Sequence, residues 1–312
     1  MQLFALNESR EHGARIAAAL GIELSALEHR DFGDGECKIR PLVAVEGQHV
    51  CVIQSLYEGP DLSVHDKLCR LLFLIATLRD HGAQRVTAVV PFLCYARKDR
   101  RTKDFDPLTT RYLAQLFEAV QCDDLITLET HNLAAFQNAF RMRTEHLEIG
   151  PVFDEIMTSR TEGPLVVMSP DPGGVKRAQL FQESLQVRLG REVGFGFMSK
   201  RRSAGVMTSG DIVGDFEGKS VVVVDDMIAS GGTMIAAAQA CKAQGAHKLY
   251  ALAAHGLFTE GAETLFTGDH FDRVFVSDSV APFRLPEGAK THRLEIVDTA
   301  DEFAELLRKL AP

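Results

Sequence analysis

Val221-Val222-Val223-Val224-Asp225-Asp226-Met227-Ile228-Ala229-Ser230-Gly231-Gly232-Thr233 is the stretch from which the fold can be read. Four β-branched residues predict a buried strand. Two carboxylates stand where that strand ends, a glycine-rich turn follows, and Ile235 to Ala240 reads as a helix. In a parallel α/β sheet, ligands bind at the carboxyl ends of strands. Backbone N–H groups opening the next helix make a phosphate site. Gly231 and Gly232 let the backbone approach that phosphate closely. Ser230 and Thr233 add hydroxyl donors. Asp225 and Asp226 would face the hydroxyls of a bound ribose, or a metal ion. The plainer reading is an ordinary strand–turn–helix unit with two solvated aspartates.

The rest of the chain extends this pattern. Its 312 residues suit two domains of ordinary size. A composition 46% hydrophobic and 25% charged is that of a globular, soluble chain. The formal charge of −9 speaks against broad nucleic-acid binding, which shows a basic face, but not against phosphate substrates held by local basic clusters. The cysteines Cys37, Cys51, Cys69, Cys94, Cys122 and Cys241 form no C-x-x-C pair, so no zinc site is expected. Residues 1–7 lack a signal-peptide pattern, and the apolar run Leu71 to Leu78 is too short to span a bilayer. The expectation is a cytoplasmic protein with no membrane partner.

Strand-like and helix-like segments alternate. Val50 to Ile53, Val86 to Val90, Leu125 to Leu128, Leu165 to Met168, Leu249 to Ala253 and Val274 to Val276 read as strands, and Lys67 to Arg79 carries helical spacing. Alternation of this kind implies an α/β protein with mainly parallel sheets covered by helices. A boundary near Gly150-Pro151 divides residues 1–149 from 150–312, without a linker. The final helix, Asp301 to Leu310, gathers Phe303, Leu306, Leu307 and Leu310 on one face and is expected to pack back on the amino-terminal domain.

Further segments carry chemistry. Asp31-Phe32-Gly33-Asp34-Gly35-Glu36 is either a surface hairpin or a loop offering an aromatic face and carboxylates to a nucleobase. Residues 91–101, including Tyr95-Ala96-Arg97-Lys98-Asp99-Arg100-Arg101, follow a strand with four basic side chains, which suit a polyphosphate. Glu129-Thr130-His131 ends another strand. Ser169-Pro170-Asp171-Pro172-Gly173-Gly174-Val175-Lys176-Arg177 is a strand-end turn able to hold a metal-bound phosphate through Asp171, or a simple turn. Lys200-Arg201-Arg202 opens a segment of small residues to Gly210. That segment is expected to be a mobile basic loop of the kind that closes over phosphates.

The 221–233 loop resembles the phosphoribosyl-pyrophosphate (PRPP) binding loop of phosphoribosyltransferases and PRPP synthetases. Along nearly the whole chain, the segments together resemble the PRPP synthetase (ribose-phosphate pyrophosphokinase) family. Residues 31–36 look like that family's ATP-base loop, and Tyr95-Ala96-Arg97-Lys98-Asp99 is similar to its Tyr-Ala-Arg-Gln-Asp. Glu129-Thr130-His131 is similar to its Asp-Leu-His, Ser169 to Gly174 to its Ser-Pro-Asp-x-Gly-Gly, and His255-Gly256-Leu257-Phe258 to its Thr-His-Gly-Leu-Phe, with Ala254 for threonine. Departures are Ala229 for a third loop acid, Ser230 for threonine, Glu129 for aspartate, and Ser277-Asp278-Ser279 for Thr-Asn-Thr. They suggest a divergent branch or paralogue.

The resemblance implies two packed phosphoribosyltransferase-like domains and transfer of pyrophosphate from Mg-ATP to ribose 5-phosphate. It assigns catalysis to Lys200 and Arg202, and ATP binding to Phe32, Asp34, Glu36, Arg97, Lys98 and Asp99. Ribose 5-phosphate falls to Asp225, Asp226, Ala229, Ser230, Gly231, Gly232 and Thr233, and magnesium to His131 and Asp171. It also implies a homo-oligomer built from dimers, often a hexamer, with the ATP site shared between subunits. Two alternatives stand beside it: a nucleotide-binding regulatory subunit without turnover, and a phosphoribosyltransferase that consumes PRPP.

Overall fold

The computed structural model describes residues 1–199, 201–203, 206–208, 212–288 and 292–310. The chain divides into two units, residues 1–147 with 298–312, and residues 148–297.

Unit 1 contains strands β1 (Gln2–Ala5), β2 (Leu27–Asp31), β3 (Cys37–Pro41), β4 (His49–Ile53), β5 (Arg85–Val90), β6 (Asp124–Leu128) and β7 (Arg143–Leu147). Five of them form a sheet in the order β1-β4-β5-β6-β7, every neighbouring pair parallel. β4 is buried throughout, as expected of a central parallel strand whose two faces are both covered. The intervening helix Val64–Asp80 starts at a capping box: the Ser63 hydroxyl accepts from the Asp66 N–H, and the Asp66 carboxylate accepts from the Ser63 N–H. Its Leu68, Leu71, Leu72 and Ile75 join Phe4, Val50, Val52, Leu113 and Phe117 in one core. β2 and β3 pair apart from the sheet as an antiparallel hairpin. Helix Ala300–Leu310 packs against helix Arg10–Leu20, where Phe303 meets His12 edge-on at 5.6 Å and Arg308 donates to the Ala19 carbonyl.

Unit 2 contains β8 (Leu165–Ser169), β9 (Gly194–Met198), β10 (Arg201–Ser203), β11 (Val206–Thr208), β12 (Ile212–Val213), β13 (Ser220–Ile228), β14 (Lys248–Gly256), β15 (Arg273–Ser277) and β16 (Leu294–Val297). The main sheet runs β12-β9-β8-β13-β14-β15-β16, parallel except for β12 on β9. β13 lies inside it, with Val221 to Val224 buried against both neighbours. Gly150 opens helix Gly150–Arg160, with Pro151 in its first turn, where a missing N–H costs nothing. The segment expected to be a mobile loop pairs as a short antiparallel hairpin, β10 on β11; Lys200 lies outside the described residues. Among the described residues, no helix is long and apolar enough to cross a membrane.

Candidate active site

The acidic pair does not end β13. It lies within it, because β14 continues to pair through Ile228 and Gly256 after β8 has stopped pairing at Val223. Beyond that point Asp225 and Asp226 stand at the sheet's carboxyl edge, with β14 on one side only. The Asp225 Oδ1 accepts the Asp226 N–H at 2.9 Å. Arg177, from helix Val175–Leu189, brings Nη1 to 3.6 Å from Asp225 Oδ1 and 3.7 Å from Asp226 Oδ1. Burial raises the Asp225 carboxyl to about 7, the Asp226 charge adds to the rise, and Arg177 only partly opposes it. Hydroxyl donors or a cation would relieve that repulsion, so the pair suits either.

The turn after β13 is fixed from two sides. The Ile228 carbonyl accepts from Leu257 and Phe258, and the Ala229 carbonyl from Thr259. This is what places His255-Gly256-Leu257-Phe258 beside the loop, with His255 Nδ1 2.8 Å from Ser279 Oγ. Gly231 adopts φ +80° as the cap of helix Gly232–Ala243. A Cβ there would fall 2.7 Å from Leu265, which is fully buried. Gly231 is buried, while Ser230, Gly232 and Thr233 are exposed at the helix start, where the first N–H groups have no intrahelical acceptor. That is a cradle for an anion. Gly231→Ala is therefore expected to destabilise the protein by about 2 kcal/mol, from the left-handed backbone and the Leu265 contact. It should also raise the KM for a sugar phosphate about tenfold. Melting curves and steady-state kinetics check both effects.

Asp171, at the end of β8, turns its Oδ1 back to accept from Gly173 (2.8 Å) and Gly174 (3.1 Å). This Asx turn launches the helix that carries Arg177. Arg177 was missing from the residues singled out by sequence. Its signal was there, three residues after paired glycines, but only the fold shows it reaching the acidic pair.

In unit 1, residues 31–36 take the hairpin form of the plainer reading. They are a hairpin tip, closed by Phe32 N–H to the Glu36 carbonyl (2.9 Å) with Gly35 at φ +92°. Phe32 is exposed on it, with the Arg30 guanidinium 5.0 Å over its ring, and Asp34 Oδ1 accepts from the Glu36 N–H at 3.1 Å. After β5, buried Leu93 and Cys94 anchor the next loop. Tyr95 turns it at φ +60°, its carbonyl accepting from the Lys98 N–H (3.0 Å) and the Thr110 hydroxyl (2.9 Å). Arg97 and Lys98 emerge exposed, and Asp99 is half-buried. After β6, Glu129 takes φ +39° and lies 3.8 Å from His146, and His131 follows, exposed.

Thus Asp225, Asp226, Ala229 and Ser230 to Thr233 form one strand–turn–helix site in unit 2. Phe32, Asp34 and Glu36 share one hairpin tip in unit 1, and Arg97, Lys98 and Asp99 one strand-end loop. His131 and Asp171 belong to different units. Arg202 is placed by backbone alone, opposite Met207. Among the described residues, no three His, Cys, Asp or Glu side chains gather as a metal cluster.

Comparison with known proteins gives these segments a common context. A family model described as the N-terminal domain of ribose phosphate pyrophosphokinase matches residues 1–120. One described as the phosphoribosyl synthetase-associated domain matches residues 201–311. A ribose-phosphate pyrophosphokinase of Vibrio parahaemolyticus is 34% identical over 100% of this chain and 96% of its own. One from Caldanaerobacter subterraneus is 32% identical over 99% and 94%. The crystal structure of phosphoribosylpyrophosphate synthetase from Mycobacterium smegmatis superposes with a TM-score of 0.88 at 27% identity, covering 99% of this chain and 98% of that one. With relatives above 30% identity matched end to end, the chain belongs to the ribose-phosphate pyrophosphokinase, or PRPP synthetase, family.

Proposed function

We propose that the protein transfers the terminal pyrophosphate of Mg-ATP to the C1 hydroxyl of ribose 5-phosphate, giving PRPP and AMP. The observation that carries this reading is the acidic pair beside Arg177, followed by a left-handed Gly231 and the open start of helix Gly232–Ala243. The first holds sugar hydroxyls and the second the 5-phosphate. The bond formed joins the C1 oxygen to the β-phosphorus, and the bond broken is that between the β-phosphorus and the oxygen retained by AMP. Such reactions turn on alignment and charge neutralisation rather than on covalent chemistry by the protein. Phe32, Asp34 and Glu36 receive the nucleobase, and Arg97, Lys98 and Asp99 the rest of ATP. Lys200 and Arg202 stabilise the group in flight.

Magnesium supplies charge neutralisation on the phosphates. Asp171 and His131 would each be able to offer it a ligand, which suits an ion that keeps several waters and borrows phosphate oxygens. The protein works as a cytoplasmic homo-oligomer built from dimers.

The test is direct. Purified protein given ribose 5-phosphate, ATP and magnesium is expected to form AMP and PRPP in equal amounts, and to form no AMP when the sugar phosphate is omitted. Release of ADP would mean transfer of a single phosphoryl group and would end this assignment. Ala229 and Glu129, which depart from the family pattern given above, motivate the regulatory-subunit alternative, and the retained Lys200, Arg202, His131 and Asp225–Asp226 pair speak against it; absence of any turnover would support it. A PRPP-consuming transferase leaves residues 1–120 without a role.

A further inference from the structure

Tyr95 is the pivot of the strand-end loop in unit 1, and its side chain has a partner outside that loop. Helix Val64–Asp80 follows β4 and leads into β5, which pairs with β4 in parallel. In such a crossover the helix start and the loop after the second strand meet at the same carboxyl edge of the sheet. His65 stands in the first turn of that helix, within the span of the Ser63–Asp66 capping box that fixes the turn. Its Nε2 is hydrogen-bonded to the Tyr95 hydroxyl, and the two ring centres lie 6.1 Å apart.

Tyr95 needs restraint. Its φ of +60° is uncommon for any residue but glycine, and such a conformation persists only when its surroundings hold it from several directions. Three restraints act on it. The ring packs against the unit 1 core. The carbonyl accepts the Thr110 hydroxyl, while the Thr110 N–H donates to the Lys98 carbonyl at 3.3 Å, so the loop is stapled to the start of helix Thr109–Ala119. The third is His65, at the far end of the side chain. The Thr110 staple holds backbone alone. The His65 contact resists a swing of the ring that would turn the backbone at residue 95, and Arg97, Lys98 and Asp99 leave the loop two to four residues later.

We infer that His65 is a positioning residue for ATP: by holding the Tyr95 hydroxyl it fixes the turn from which Arg97, Lys98 and Asp99 reach the nucleotide. It acts through Tyr95 rather than by contact with a substrate. The inference rests on the assignment of those three residues to ATP made above.

Calorimetric titration of the whole protein with Mg-ATP tests it in a double-mutant cycle of wild type, His65→Ala, Tyr95→Phe and the double variant. Each single variant is expected to bind Mg-ATP about three- to tenfold more weakly, the worth of one hydrogen bond, and the double variant no more weakly than that, because both changes remove the same contact. His65→Gln keeps a polar group able to bond the hydroxyl and is expected to bind Mg-ATP within about twofold of wild type. That rescue separates positioning from a general loss of packing. Ribose 5-phosphate binding is expected to change by less than about twofold in every variant. Unchanged Mg-ATP binding in His65→Ala would overturn the inference. So would additive losses in the double variant, which would mean that His65 acts other than through the hydroxyl. Alanine suits a helical turn, so His65→Ala should melt like wild type; should Tyr95→Phe fail to melt cooperatively, His65→Ala and its glutamine rescue decide alone. Arg97→Ala/Lys98→Ala is the control on the ATP assignment. Unchanged Mg-ATP binding there would overturn that assignment and the inference with it, whereas a loss there with none in His65→Ala would overturn the inference alone.

Discussion

Changing Asp225 and Asp226 together to asparagine is expected to lower PRPP formation by at least about a thousandfold while the protein stays folded. The loss comes from the sugar's side of the reaction. The amides keep the volume but give up the paired charge that orients hydroxyl groups, and Arg177 loses both its anionic partners. ATP binding measured by calorimetry is expected to survive, because the hairpin tip at Phe32 to Glu36 belongs to unit 1. Stability moves the other way. The folded-state pKa of Asp225, about 7, lies above its ordinary 3.8, so the folded protein holds a proton that the unfolded chain releases. In ligand-free protein this makes stability fall as pH rises from about 4 to about 7. Melting temperatures at pH 5 and pH 8 should therefore differ more for wild type than for the double variant. Near-normal kinetics in the folded variant would take the pair out of sugar binding and leave it a structural feature of the strand end. The sugar would then bind elsewhere.

Much of this site was legible before any coordinates, and for a physical reason. A buried parallel strand needs an unbroken apolar run. A close backbone turn needs glycine. A helix that receives an anion needs small residues at its start. Residues 221–233 meet all three demands within a short span, so strand, turn and helix could be read together. What could not be read was the extent of β13. Strand ends depend on the neighbour, and β14 carries the pairing past the two acids while β8 does not. Arg177 was hidden for the same reason: its role depends on a contact between two elements far apart in sequence. The hairpin at 31–36 shows the reverse case. Its glycines and Asp34 made the turn legible from local sequence alone, whereas an exposed phenylalanine on a tight turn is a surface feature whether or not a base stacks on it.

Lys200→Ala is expected to reduce kcat by about a hundredfold or more, with the KM values for ATP and ribose 5-phosphate changed by less than about threefold. Lys200 itself lies outside the described residues, so its role rests on sequence: a cation opening a basic run, followed by small residues through Gly210. A charge aimed at the transferring pyrophosphate acts mainly when the bond to AMP is breaking. Its removal should therefore appear in turnover rather than in substrate capture. The opposite pattern, raised KM at unchanged kcat, would make Lys200 a residue that attracts substrate and would pass the transition-state role to Arg202. Lys200→Arg sharpens the distinction. Arginine keeps the charge but spreads it over a planar fork on a longer side chain, so partial recovery of kcat would mean that charge dominates, and none would mean that position does. The same variants separate an enzyme from a regulatory subunit without turnover. In the enzyme, the Asp225–Asp226 change and the Lys200 change must fall on different kinetic constants, one governing the sugar and one the chemical step. A subunit that only binds nucleotide has no chemical step for Lys200 to govern, so Lys200→Ala would leave no kinetic trace.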